Sequence, residues 1–284
     1  MNHIERIEFS NYKSLIDIEG NKRLKSYPHI KRYHYIILKS YINYLIRRGD
    51  ACAINSAGLP KNMEEYLSAL YTSPPNVLKI FDKIRESKEL ASCPMCGSPM
   101  CGTLDHVLPK TDYPEFAIFT PNLVPACKCN IRRSTDTIGT APRERVAHPY
   151  FDKFLRNRLI SVSPNFPLDR TVTFSINNLL KITDNNHPIV YFHIEAVLKN
   201  SGIINHCIRM WAKLLRSPRL ILPTLKNSQD KYELSRAIKE EIRRNDKLYE
   251  SNNNWNSAFL YGINSKKIIL WLEKNLVCNT KNLL

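Results

Sequence analysis

Five of the chain's eight cysteines fall between Cys93 and Cys129, and their spacing constrains the fold more than any other feature. Cys93-Pro-Met-Cys96-Gly97 has the form of a knuckle. Two thiolates separated by two residues grip one tetrahedral ion, and the glycine lets the backbone turn back. A second pair, Cys127-Lys-Cys129, follows about thirty residues later, far enough for two loops to meet around the same ion. Four thiolates would close the coordination sphere, so the expected zinc is structural, supplying folding free energy to a polar stretch with little core of its own. Cys52, Cys207 and Cys278 are scattered, and read as small buried hydrophobes.

The surrounding chain is patterned differently. From Pro28 to Arg48 the apolar residues recur at three- and four-residue spacing and Gly49 follows as a stop, which predicts a helix. Shorter helices are expected from Met63 to Tyr71 and Val77 to Leu90, on either side of the breaker Ser73-Pro74-Pro75. Between Ala91 and Pro149 the helical period disappears, and short β-prone pieces such as Thr103 to Leu108 take over. Strands expected at Arg158 to Val162 and Thr171 to Ile176 would form a hairpin. Helical patterning then returns at Ile194 to Lys199, Ile203 to Leu215, Gln229 to Tyr249 and Lys266 to Leu276. The expected architecture is α+β and mainly α, with a helical region at 1–90, a metal-stapled module at 91–152 and a mainly helical region with the hairpin at 153–284.

Charge narrows the partners. Lys and Arg number 42 against 26 Asp and Glu, a net +16, which suggests a polyanion. Nucleic acid is preferred to a membrane, because no apolar run approaches the roughly 20 residues a bilayer span needs. The opening MNHIERIEFSNYKS has no apolar signal region, so the expected location is cytoplasmic. The stripe Arg236, Lys239, Arg243, Arg244 and Lys247 is interleaved with Glu233, Glu240, Glu241 and Asp246, and reads as a solvated helix face in preference to a nucleic-acid contact.

Between the cysteine pairs stand Thr103-Leu-Asp105-His106-Val-Leu-Pro109-Lys110, then Tyr113-Pro-Glu-Phe116, Pro121-Asn122-Leu-Val-Pro125 and Cys129-Asn130, with Ala147-His148-Pro-Tyr-Phe-Asp152 just downstream. These motifs resemble the HNH endonucleases, built on a ββα-metal finger, in their zinc-stapled form, and in particular HNH proteins of prokaryotic anti-phage defence systems. The resemblance covers the chain from Cys93 to Asp152. It implies metal-dependent hydrolysis of DNA, with RNA an alternative substrate. His106 would be the general base, Asp105 and Asn130 ligands of a catalytic Mg²⁺ or Mn²⁺, and Asn122 the residue that orients the histidine. Imidazole titrates near 6.5, so a positioned histidine can take a proton from attacking water near neutral pH.

Asp105 and His106 would face opposite ways on a regular strand, so serving one site requires a bend there. The family spaces its second cysteine pair by two residues, whereas only Lys128 intervenes here. Cys101 is therefore an alternative zinc ligand. Lys110, Arg132, Arg133, Arg143 and Arg145 are candidates for phosphate contacts. His148 reads as a packing residue in preference to a catalytic one. The helical flanks are expected to dock a controlling partner such as an ATPase or a nucleoprotein. The non-catalytic alternative is a zinc ribbon that only binds nucleic acid.

Overall fold

The computed structural model describes residues 1–86, 90–133, 135–166, 172–226 and 230–276, with the side chain of Asn130 outside that description. The N-terminal part contains α1 (Asn11–Gly20), α2 (His29–Arg32), α3 (His34–Ile46), α4 (Lys61–Thr72) and α5 (Ile80–Glu86). The helix expected over Pro28 to Arg48 is interrupted at Tyr33, whose backbone at φ −108° and ψ 10° departs from the α geometry. The expected helix from Val77 to Leu90 opens as a 3₁₀ turn at Asn76–Leu78 before α5, and residues 87–89 of its span lie outside the described residues.

Strand β1 (Thr103–His106) pairs antiparallel with β2 (Leu123–Ala126), matching Asp105 with Val124 and His106 with Leu123. A short helix, α6 (Cys129–Arg132), follows directly. A second antiparallel pair, β3 (Ile160–Pro164) and β4 (Phe174–Asn178), is the expected hairpin shifted toward the C-terminus. Thr171, the expected start of its second strand, lies outside the described residues. The chain then forms α7 (His187–His193), extended by a π turn over Ile194–Leu198, followed by α8 (Ile203–Arg216) and α9 (Pro218–Ile221). Three more helices follow: α10 (Lys231–Leu248), α11 (Trp255–Ile263) and α12 (Lys266–Leu276). The architecture is mixed α+β with two small sheets, and no described helix is long and apolar enough to cross a membrane.

Local chemistry accounts for these elements. Asp230 caps α10 by accepting the Tyr232 and Glu233 amides at 2.8 and 2.9 Å, and Leu234, Ala237, Ile238 and Ile242 then form its buried stripe. Gln229, the expected start of that helix, lies outside the described residues. Helix α11 was not expected. Trp255, Ala258, Phe259, Leu260 and Ile263 are all buried, so it is apolar around most of its circumference and carries little amphipathic period. Gly262 brings it against β3, where a Cβ would collide with the Val162 carbonyl.

Two cores result. One joins α1–α5 to Leu104, Leu108, Phe116, Phe119 and Leu123, with the Tyr41 and Phe119 rings stacked at 4.0 Å. The other joins the cysteine knuckle, Val124 and Ala126 to β3, β4 and α7–α12. Strand β2 divides the two, since Leu123 enters the first core while Val124 and Ala126 enter the second. The cysteine module thus has no separate core. Each of its faces is completed by one helical flank, and burying a large apolar side chain there contributes about 1.5–3 kcal/mol.

Candidate functional site

The knuckle is held from outside itself. The Met95 carbonyl is 2.7 Å from His193 Nε2, the Trp255 indole N–H donates to Cys96 O at 2.7 Å, and the Trp255 amide donates to Gly97 O at 3.1 Å. Gly97 adopts φ 80°, and a Cβ there would collide with the Asn253 carbonyl. The sulfurs of Cys93, Cys96, Cys127 and Cys129 are buried and lie within 4.8 Å of one another. A tetrahedral zinc with bonds of about 2.3 Å requires sulfur separations of about 3.8 Å. Cys93 and Cys129 are 3.9 Å apart, and Cys96 and Cys127 are 3.4 Å apart. Amides of Cys127 and Cys129 point at the sulfurs of Cys93 and Cys127, at 3.4 and 3.3 Å. This cluster can hold one structural metal ion such as zinc.

The shortened second pair closes because Cys127 lies in the loop after β2 and Cys129 opens α6, with Lys128 turning between them. Cys101 stands outside the four-sulfur cluster. It is half-buried beside Cys93, and with the other three sulfurs it helps hold the Cys93 thiol well below the ordinary range. Of the scattered cysteines, Cys207 is buried as expected, Cys52 is exposed because it lies in a surface turn after α3, and Cys278 lies outside the described residues.

His106 ends β1, and its surroundings specify its proton. Nε2 lies 2.9 Å from the Ala117 carbonyl, which can only accept, so Nε2 carries the hydrogen and Nδ1 carries the lone pair of the neutral ring. Tyr71 of α4 packs its ring at 4.3 Å in an edge arrangement and donates its hydroxyl to Leu104 O at 2.9 Å. Burial pushes the His106 pKa down to about 4. Asp105 meets different neighbours, as the pleat requires. Its Oδ1 accepts from Arg133 at 3.3 Å, while its Oδ2 is buried with no hydrogen-bond partner. An orphan buried acceptor costs roughly 1–3 kcal/mol, and here burial raises the carboxyl's pKa. A carboxylate with one oxygen anchored and the other free is suited to a divalent cation.

Asn122 is fully buried, and its side-chain hydrogen bonds go to Tyr44, Leu108 and Phe116, none to the histidine ring. Its side chain clamps the backbone just beyond His106, accepting the Leu108 amide at 2.8 Å and donating to Leu108 O at 2.9 Å. Its Oδ1 also accepts the Tyr44 hydroxyl at 2.9 Å, and that hydroxyl lies 2.9 Å from His148 Nε2. Because His148 Nδ1 accepts the Tyr150 amide, Nε2 must be the donor. His148, Tyr44 and Asn122 are thus one ordered relay that fixes the turn just beyond His106. Sequence reasoning missed Tyr44 and Tyr71, since each sits in a helical apolar pattern and nothing in the pattern marks its hydroxyl.

The expected phosphate contacts divide. Arg132 and Arg143 are exposed. Lys110 is half-buried, donating to Ser68 at 3.0 Å with its ammonium 4.9 Å from the Tyr71 ring centre. Arg133 and Arg145 turn inward instead. Arg133 donates to the carbonyls of His106 and Val107 at 2.6 and 3.3 Å, and Arg145 makes a bidentate pair with Asp152 at 2.7 and 2.8 Å. A guanidinium buried against these acceptors has no free fork for phosphate. The Asn130 side chain lies outside the described residues.

No family model matches the chain, and no solved structure gives a significant match. The chain is 37% identical over 76 residues to protein ea31 of Escherichia phage lambda. That stretch covers 26% of this chain and 26% of the phage protein, so the match spans about a quarter of the relative's length.

The buried histidines make the fold acid-sensitive. Burial pushes the pKa values of His106 and His193 down to about 4 and that of His148 to about 3, against about 6.5 in the unfolded chain. Below 6.5 the unfolded state takes up protons that the folded state refuses. Their stabilising effect is therefore complete above pH 6.5 and shrinks as pH falls toward 4, by about 1.4 kcal/mol per unit for each histidine. Chemical denaturation between pH 7 and 4.5 should show a steep loss of stability, and a flat profile would contradict this account.

Proposed function

We propose that the protein is an HNH-type endonuclease that hydrolyses DNA phosphodiester bonds, with His106 as general base. The observation that carries this reading is the bond from His106 Nε2–H to Ala117 O, which leaves Nδ1 free to accept a proton. Asp105, with its orphan oxygen, alternates to the other face of the regular strand, so the reading requires β1 to bend when the site opens. An antiparallel pair followed directly by a short helix, stapled by four cysteines, supports the ββα-metal finger that the sequence resembles.

The geometry supports the role given to His106, and the resemblance supplies those of Asp105 and Asn130 at the ion. His106 Nδ1 would take the proton of the water that attacks phosphorus. Asp105 Oδ2 would hold a Mg²⁺ or Mn²⁺ ion, with Asn130 as the second ligand the resemblance implies. Such an ion, when bound, neutralises charge on the phosphate and on the leaving 3′-oxygen. Arg133 fixes the backbone carbonyl of His106, and the Asn122 clamp fixes the turn beyond it. Asp105 and His106 are each only 8% exposed, which supports a resting state that must open before a phosphodiester enters. That need for opening agrees with an effector of an anti-phage defence system restrained by a partner such as an ATPase or nucleoprotein.

The test is cleavage of supercoiled plasmid and of RNA by the purified chain across Mg²⁺ and Mn²⁺ concentrations. Nicking that requires the divalent ion and is lost in Asp105→Asn, with zinc content and melting temperature preserved, is the expected result. If the folded, metal-loaded protein leaves both nucleic acids intact, or if Asp105→Asn cleaves like wild type, the reading fails. Cleavage of RNA alone would replace DNA as the substrate.

A further inference from the structure

A cleft of about 820 Å³ opens between the β3–β4 hairpin and helices α10 to α12, and none of its lining residues belongs to the site around His106. Its floor includes Ser161, Ser163 and Ser265, hydroxyls suited to hydrogen bonding with phosphate oxygens or base edges. Two aromatic rings stand at its edge, Phe166 at 40% and Tyr261 at 44% exposure. Each carries a cation against its ring, with Lys267 Nζ 3.5 Å from the Phe166 centroid and the Arg158 guanidinium 5.0 Å from that of Tyr261.

The structure also sorts the charges on α10 that the sequence left interleaved. Arg236 pairs with Glu233 and Glu240, and Arg244 pairs with Glu241. Lys239 and Arg243, one helical turn apart, face the cleft, and no described carboxylate forms an ion pair with either. The lining carboxylate, Asp246, is balanced by Arg158. Among the described residues, Lys239, Arg243 and Lys267 therefore leave the cleft positive, beside two partly exposed aromatic rings. A positive groove with aromatic platforms is the arrangement that holds a flexible strand by its phosphates and stacks its bases without reading them.

We propose that this cleft binds single-stranded nucleic acid, with phosphates on Lys239, Arg243 and Lys267 and bases stacked on Phe166 and Tyr261. The site is separate from the proposed catalytic one, and binding there requires no cleavage.

The experiment is fluorescence anisotropy of a labelled oligothymidylate, a duplex of equal length and a polyglutamate peptide. It uses the full chain in a His106→Ala background without divalent ions, over a range of salt. The double variant Lys239→Ala/Arg243→Ala should weaken oligothymidylate binding at least tenfold and flatten the salt dependence by about 1.4 in log–log slope, two phosphates at about 0.7 each. Phe166→Ala and Tyr261→Ala should each weaken it about tenfold while leaving the slope unchanged. All four positions are exposed, and unchanged melting temperatures exclude misfolding. Lys267→Glu provides an independent test should the double variant fold poorly.

Affinity and slope unchanged in every variant would overturn the proposal. Polyglutamate binding as tight as oligothymidylate and equally sensitive to the variants would overturn it too, in favour of an acidic protein partner. Tighter binding of the duplex with no effect of the aromatic substitutions would also overturn it. Loss of cleavage in His106→Ala together with an inert cleft rejects the cleft alone, whereas cleft-dependent binding by a protein that never cleaves rejects the nuclease reading alone.

Discussion

His106→Ala is expected to lower phosphodiester cleavage by about 10²–10⁴-fold, the range over which a positioned general base contributes. The substitution also strands the Ala117 carbonyl, at a cost of roughly 1–3 kcal/mol, so a drop in activity must be separated from a drop in folded protein. His106→Gln makes that separation, because an amide can still donate to Ala117 O but has no basic nitrogen. Both variants should be inactive at a temperature where both are folded, and added imidazole should partly rescue the alanine variant. The base works only when neutral, so the acid limb of the wild-type rate profile should fall between about 4, the value burial imposes in the closed site, and about 6.5, the solvated value. Wild-type cleavage by the glutamine variant would remove His106 from the reaction.

Withdrawal of a zinc ion held by the four-cysteine cluster should have the largest effect on stability. Structural zinc contributes an apparent 10–16 kcal/mol in small modules, against a total stability of about 5–15 kcal/mol for a domain. The consequence extends well past the knuckle, because His193 and Trp255 bond to its carbonyls and the cysteines pack within the larger core. Elemental analysis should find one zinc per chain. Trp255, whose indole bonds to Cys96 O, should shift its fluorescence to the red in step with zinc release to a chromophoric chelator. Cys93→Ser or Cys129→Ser should give unfolded or aggregated protein, whereas Cys101→Ser should keep its zinc, since Cys101 stands outside the cluster. A metal-free protein with unchanged melting and fluorescence would show that the four cysteines do not hold the fold together.

Much of the four-cysteine cluster was legible because thiolate spacing is a local property. Two short pairs separated by a loop carry their geometry in the sequence, and even the shortened Cys127–Cys129 pair needed only a turn at Lys128 to close. Helices with one buried face, such as α10 and α12, were legible for the same reason. Helix α11 was hidden, since burial on most sides erases the period. The direction of Arg133 and Arg145 was hidden as well. A basic residue near a site reads as a phosphate contact until the acceptors around it are known, and those are the carbonyls of His106 and Val107 in one case and Asp152 in the other.

The sequence alone carried the two cysteine pairs that meet in the four-sulfur cluster and the helices with one buried face, because each depends on spacing along the chain. Only the tertiary structure decided which nitrogen of His106 is basic, that Tyr44 and His148 stand behind Asn122, and that no described carboxylate forms an ion pair with Lys239 or Arg243. Those depend on hydrogen-bond and charge partners that lie far apart in sequence and meet only when the two cores close on either side of β2.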